Sequence, residues 1–141
     1  MSLPELGLDA GTLAATSPHS AVPEIVSRLV DSWSGQRARL FANIVLREGA
    51  GESGFPGLTA LIARAREQLE KPFRRWQHEG LLRHDVSVEQ LVWELFAPLH
   101  VIRFLHLHAG ATHTDLTQAR QMADDHVAFF LTCVTTSEGS M

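Results

Sequence analysis

The chain has 141 residues, which suits one domain, and hydrophobic residues make up 45% of it, enough for a globular core. Its formal net charge of −4 argues against a nucleic-acid-binding module, because such modules present a basic surface to phosphates. The single cysteine, Cys133, excludes an internal disulfide framework, and no signal peptide is recognisable, so we expect a cytoplasmic protein.

The N-terminal segment carries little helical signal, because prolines and glycines interrupt its leucines. We expect residues 1–19 to form a loose arm with one short helical piece around Leu8–Ala15.

Two helices and a loop follow this arm. Ser20 is placed to cap a helix over about Ala21–Ser34, with Pro23 in its first turn, where a missing N–H costs little. A second amphipathic helix is predicted over about Gln36–Glu48. The stretch Gly49–Gly57 is rich in glycine, which predicts a flexible loop.

The next helix is predicted over Leu58–Glu79, with one apolar face along its whole length. Pro72 lies inside it and removes one backbone hydrogen bond, so we expect a kink there. Gly80 then ends the helix.

The segment Ser87–Gly110 reads as one long helix that is apolar on almost every face. Ser87 and Gln90 match a capping box, and Gly110 occupies a C-cap position. A helix of this kind is buried on more than one side, so we expect it to face the core of its own chain and also a cavity, a partner subunit or both. Its charged and titratable side chains argue against a membrane span.

A last helix with one apolar stripe is predicted over about Asp115–Thr135, and residues 136–141 are predicted to be a frayed tail. No segment alternates apolar and polar residues as a strand does. The sequence therefore predicts an all-α helical bundle of about five to six helices.

Three segments, in this order along the chain, resemble the C-terminal regulatory domain of TetR-family transcriptional regulators. SGQRARLFANIVLREG resembles the helix that opens the ligand-binding body of the family. EGLLRHDVSVEQL resembles its G-x-L-R-x-D-x-x-x-E passage, and FAPLHVIRFL resembles its G/A-P-L-x-x-x-R-x-L segment. The matching residues are Arg39, Leu40, Glu48, Gly80, Leu82, Arg83, Asp85, Glu89, Ala97, Pro98, Leu99, Arg103 and Leu105.

The resemblance implies a ligand-binding and dimerisation domain over residues 20–135, without enzymatic activity, cofactor or membrane association. Family members begin with a helix-turn-helix domain that reads DNA, and no such segment is recognisable here. We therefore interpret the chain as a fragment, or as a regulator that lost its reader. DNA is expected to be a partner only through a domain absent from this chain.

A mostly apolar pocket for a small-molecule effector is implied inside the helical body. His100 and Arg103 lie three residues apart on one helix, so either side chain could meet an anionic or carbonyl group of a ligand. Alternatively, Arg103 pairs with Glu94 or another carboxylate, and His100 and the aromatic residues are ordinary core. The pocket candidates are Trp33, Phe41, Phe73, Trp76, Trp93, Phe96, His100, Arg103 and Phe104.

The last two helices of each subunit form a four-helix dimer interface in this family, so we expect a homodimer. The alternative is that Phe129 and Phe130 simply cover the core of one chain. The interface candidates are Leu107, Leu116, Met122, His126, Phe129 and Phe130.

The two alternative functions are a metal-dependent enzyme and a helical interaction module. A metal-dependent enzyme is disfavoured, because His106 and His108 point about 200° apart on a helix and cannot share an ion. A helical interaction module is the other alternative, and it would be solid where a regulatory domain has a cavity.

Overall fold

A computed structural model describes residues 3–48 and 58–136 of the chain. A 3-10 helix at Pro4–Leu6 precedes six α-helices within this described part. The described residues form no β-strand and only an isolated β-bridge between Leu82 and Thr135, which confirms the all-α prediction. The predicted loop Gly49–Gly57 and residues 137–141 of the predicted tail lie outside the described residues. The helices are α1 (Ala10–Ala14), α2 (Pro18–Trp33), α3 (Gln36–Glu48), α4 (Leu58–His78), α5 (Val88–His106) and α6 (His113–Val134).

The N-terminal segment, predicted to be loose, instead packs on the helical body. Leu3 and Leu13 are buried, and the Leu3 N–H donates to Oε1 of Gln68 on α4 at 2.6 Å. The Trp76 indole N–H donates to the Thr16 carbonyl at 2.7 Å. The leucines of the N-terminal segment cover apolar surface of α2 and α4 that solvent would otherwise reach, and this burial holds the segment in place.

Helix α2 begins three residues before the predicted start. The Ser17 hydroxyl accepts from the Ser20 N–H at 3.3 Å, and Pro18 takes the first helical position. Proline is favoured there because its fixed φ suits a helix and its missing N–H is not needed, so Ser17-Pro18 is a stronger start signal than Ser20. Pro23 consequently lies inside the helix and not in its first turn.

Helix α5 starts as predicted but ends before Gly110. The Ser87 hydroxyl accepts from the Gln90 N–H at 3.1 Å, whereas the Gln90 side chain bonds Glu94 and completes no capping box. The helix stops at His106, because Thr112 and Asp115 form a reciprocal capping box that starts α6 at His113. The residues between them must therefore make the turn.

The core of the chain is centred on α5, which packs against α3, α4 and α6. Its side chains Leu95 and Leu99 are fully buried, as are Phe73 and Trp76 of α4. The rings of Phe73 and Phe130 lie 6.3 Å apart, so the C-terminal half of α4 and α6 form a solid aromatic contact.

The connection from α4 to α5 is held by a glycine turn and an ion pair. Gly80 has a φ of 79°, and the Leu81 N–H donates to the Trp76 carbonyl at 2.8 Å. Leu82 is buried, while two guanidinium nitrogens of Arg83 each lie 2.7 Å from a carboxylate oxygen of Asp85. Hydrogen bonds from Arg83 and Thr136 to the backbone then join this connection to the end of α6.

Because Gly80 has a left-handed backbone conformation, any side chain at this position is expected to strain the backbone and lower the stability. Gly80→Ala is expected to lower the free energy of unfolding by about 1 kcal/mol, although an added Cβ meets no atom within 4 Å. Gly35→Ala is the matched control, since that glycine has no positive φ and its Cβ would make an ordinary contact. Urea unfolding of both variants checks this, and equal losses would contradict it.

Candidate functional site

A cavity of about 400 Å³ lies among α2, α3, the N-terminal half of α4 and α5. The N-terminal segment contributes Leu3 and Leu6 to its wall. Most of the lining is aliphatic or aromatic, which is the composition of a small-molecule site with a few orienting polar groups. The helices contribute Ile25, Leu29, Trp33, Arg37, Ala38, Phe41, Ile62, Ala65, Arg66, Gln68, Leu69, Phe96, His100, Arg103 and Phe104.

The structure brings six of the nine predicted pocket residues to this cavity: Trp33, Phe41, Phe96, His100, Arg103 and Phe104. The other three lie elsewhere, and their placement corrects the prediction. Phe73 and Trp76 are fully buried in the solid core beside α6. Trp93 is 46% exposed on α5 and does not line the cavity, although the guanidinium of the lining residue Arg66 lies 6.0 Å from its ring centroid.

Arg103 is the most unusual side chain of the cavity, because it is only 9% exposed and carries a charge. It makes no hydrogen bond or ion pair with any described residue, and its buried Nε has no acceptor. The alternative, in which Arg103 pairs with Glu94 or another carboxylate, is therefore not found among the described residues, and the Glu94 carboxylate instead accepts from Gln90.

Aromatic faces surround the Arg103 guanidinium in place of carboxylates. Its central carbon lies 4.9 Å from the ring centroid of Trp33, 5.2 Å from that of Phe41 and 5.7 Å from that of Phe104. These contacts attract the cation electrostatically but accept none of its in-plane N–H groups. Burial lowers the pKa of Arg103 to about 10, so the side chain stays charged at neutral pH.

His100 stands one turn before Arg103 and is held between two rings. Its imidazole centroid lies 5.5 Å from that of Trp33 and 6.0 Å from that of Phe96. Burial, and then the positive charge of Arg103, lower the pKa of His100 to about 4. At neutral pH it is therefore an uncharged group that offers the cavity one donor and one acceptor.

Two cationic cavity residues, Arg37 and Arg66, were missed from the sequence. Each shares a helix face with an apolar lining residue: Arg37 lies four residues before Phe41, and Arg66 four residues after Ile62. That spacing is the available signal, but arginine on an amphipathic helix is ordinarily solvated, so the spacing alone does not indicate a cavity residue.

The predicted dimer residues divide into three groups. Leu107 and Phe130 are buried in the core of their own chain, so neither presents surface to a partner. Leu116 is half-buried against the core, and Nε2 of His126 lies 2.9 Å from the Leu95 carbonyl oxygen of α5. Met122 and Phe129 are exposed, and Phe129 reaches 70%.

Within residues 3–48 and 58–136, no three His, Cys, Asp or Glu side chains lie close enough to hold a metal ion. His108 lies past the end of α5 and accepts from the Gly110 N–H at 3.2 Å through Nδ1. His106 lies 3.8 Å from an Asp115 carboxylate oxygen.

No protein-family model, curated protein or solved structure matches this chain. None of the helices that the structure describes is long and apolar enough to cross a membrane.

Proposed function

We propose that this chain is the effector-binding and dimerisation domain of a TetR-like transcriptional regulator. The observation that carries the proposal is the cavity, which gathers six of the pocket residues expected from the resemblance. In this role a small, mostly apolar ligand favours one arrangement of the helices and thereby controls DNA binding by an attached helix-turn-helix domain. The cavity also favours ligand binding over a solid interaction module.

A stand-alone small-molecule-binding module uses the same cavity and differs only in lacking the DNA-linked readout. The reading frame upstream of Met1 separates the two. A helix-turn-helix domain encoded there supports the regulator, and an unrelated or absent reading frame there favours the stand-alone module.

Binding in the cavity is tested with 1-decanol, an uncharged apolar ligand. Titration calorimetry of the chain is expected to give one site per subunit. Ala38→Phe fills space in the cavity wall and is expected to weaken binding at least about tenfold, because the displaced volume is no longer available to the ligand. Ala128→Phe, on the exposed surface of α6, is the matched control and should bind as the native chain does. Equal affinities of the two variants would contradict binding at this cavity.

A homodimer is the second part of the proposal, and it rests on an exposed apolar surface. We define the outer patch as Val101 and Leu105 of α5 with Met122 and Phe129 of α6. His126 lies between the two α6 members and contacts α5, so that side of α6 adjoins α5. Exposed apolar side chains on two neighbouring helices are costly in a monomer and are covered in a twofold pair.

The outer patch makes the oligomeric state testable. The double variant Leu105→Glu/Phe129→Glu is expected to be monomeric, because twofold symmetry would bury four extra carboxylates at one interface. Light scattering after size-exclusion chromatography measures this against the native dimer. Leu46→Glu on α3, where the leucine is also exposed, serves as the control and should remain dimeric. A monomeric native chain would refute the assignment.

A further inference from the structure

The cavity of the proposed ligand-binding domain concentrates positive charge in a protein whose overall charge is negative. Its lining includes three arginines, Arg37, Arg66 and Arg103, and no aspartate or glutamate among the described residues. The whole chain, in contrast, has 16 acidic residues against 12 basic ones. Positive charge without a counter-charge is therefore a local property of this cavity.

Arg103 is the residue whose position most requires a ligand. A guanidinium has five N–H donors in a planar fork that fits a carboxylate, and a buried polar group without a partner is costly. The rings of Trp33, Phe41 and Phe104 contact the cation, but they leave its in-plane donors unused. An acceptor supplied by a ligand in the cavity would complete the site.

The apolar wall limits what kind of anion fits. Ile25, Leu29, Leu69 and Phe96 line the cavity, and an inorganic ion would leave these surfaces without contact. His100 is uncharged at neutral pH, so the positive charge comes from the arginines alone, and only Arg103 among them is buried. One negative group on an apolar body matches this arrangement better than a polyanion does.

We propose that the natural ligand is an amphipathic monoanion whose acidic group binds the Arg103 guanidinium and whose apolar body contacts the aliphatic and aromatic wall of the cavity. This inference rests on the proposed ligand-binding function and specifies its ligand class. The neutral imidazole of His100, one turn away on α5, is placed to offer the same acidic group a second hydrogen bond.

Three ligands of equal chain length test the charge preference: decanoate, 1-decanol and decyltrimethylammonium. They are titrated at pH 7.5, below the solubility limit of 1-decanol and below the micellar concentrations of the two ionic ligands. Decanoate is expected to bind about 10- to 100-fold more tightly than 1-decanol, as a charged hydrogen bond in a buried site provides. The ammonium ligand should bind most weakly, because three arginines repel it.

Variants then assign the preference to Arg103. Arg103→Met is expected to weaken the binding of decanoate much more than that of 1-decanol, and so to remove most of the preference of decanoate over 1-decanol. Arg103→Lys keeps the charge and should retain a reduced preference, because it lacks the bidentate fork. Arg75→Met, which removes an exposed α4 arginine paired with Glu79, is the control and should behave as native.

The outcomes separate this inference from the function on which it rests. If 1-decanol binds and decanoate binds no better, the anion specificity is wrong and cavity binding stands. A parallel loss of both ligands in Arg103→Met and Arg103→Lys would make the arginine a structural residue and overturn the inference. If none of the three ligands binds the native chain, the proposed function fails together with it.

Discussion

Replacing Arg103 by methionine is expected to stabilise the ligand-free protein by about 1 to 2 kcal/mol. An unpaired buried charge costs several kcal/mol of desolvation, and the orphaned Nε adds the cost of a missing hydrogen bond. The cation–π contacts offset part of this, at about 0.5 to 2 kcal/mol each. Methionine has similar length and also contacts aromatic rings favourably, so the variant loses less than it gains.

Urea unfolding at pH 7 measures this effect at one fixed protein concentration, because subunit association would otherwise shift the apparent stability. Arg75→Met is again the control, and its exposed ion pair with Glu79 should change stability by less than about 1 kcal/mol. A destabilised Arg103→Met variant would contradict the prediction and mean that the aromatic contacts outweigh the desolvation of the cation. A stabilised variant that also loses decanoate would show that the arginine is retained for binding at a cost in stability.

The sequence predicted the face of each helix better than the position along it. On α4, the apolar periodicity correctly placed Phe73 and Trp76 inward. An inward residue lines a cavity or packs in the solid core according to which helix lies opposite it at that height along α4. The apolar periodicity of one helix does not show which helix lies opposite. The N-terminal half of α4 faces the cavity through Ile62 and Leu69, while its C-terminal half meets Phe130 of α6.

On α5, too, the sequence predicted the apolar faces of the helix better than the point where the helix ends. The prediction that this helix has more apolar surface than one core requires is consistent with Trp93, Val101 and Leu105, which are all exposed. The predicted helix continues to Gly110 and places Leu107 near the interface, whereas the chain turns after His106 and buries Leu107. The capping box of Thr112 and Asp115 starts α6 close behind α5, so α5 must end before Gly110. The C-cap signal of one helix therefore has to be compared with the N-cap signal of the next.

His100 gives the second large effect expected at the cavity. Burial and the neighbouring Arg103 charge lower its pKa from the ordinary 6.5 to about 4, so the folded protein holds the neutral imidazole. The unfolded chain, in contrast, takes up a proton at this residue below about pH 6.5. Between these two values the unfolded state binds more protons than the folded state, so stability falls as the pH falls.

The expected loss from this one residue is about 3 kcal/mol between pH 6.5 and pH 4, since each unit of pKa shift corresponds to about 1.4 kcal/mol. His100→Gln removes the titrating group, so its stability should vary less steeply with pH across that window. His84→Gln, at an exposed position between α4 and α5, is the matched control, because it makes the same substitution away from the cavity. Urea unfolding at intervals of half a pH unit provides the measurement. Parallel curves for the native chain and His100→Gln would show that the folded protein also takes up the proton at His100, which would contradict the burial of this imidazole beside the positive charge of Arg103.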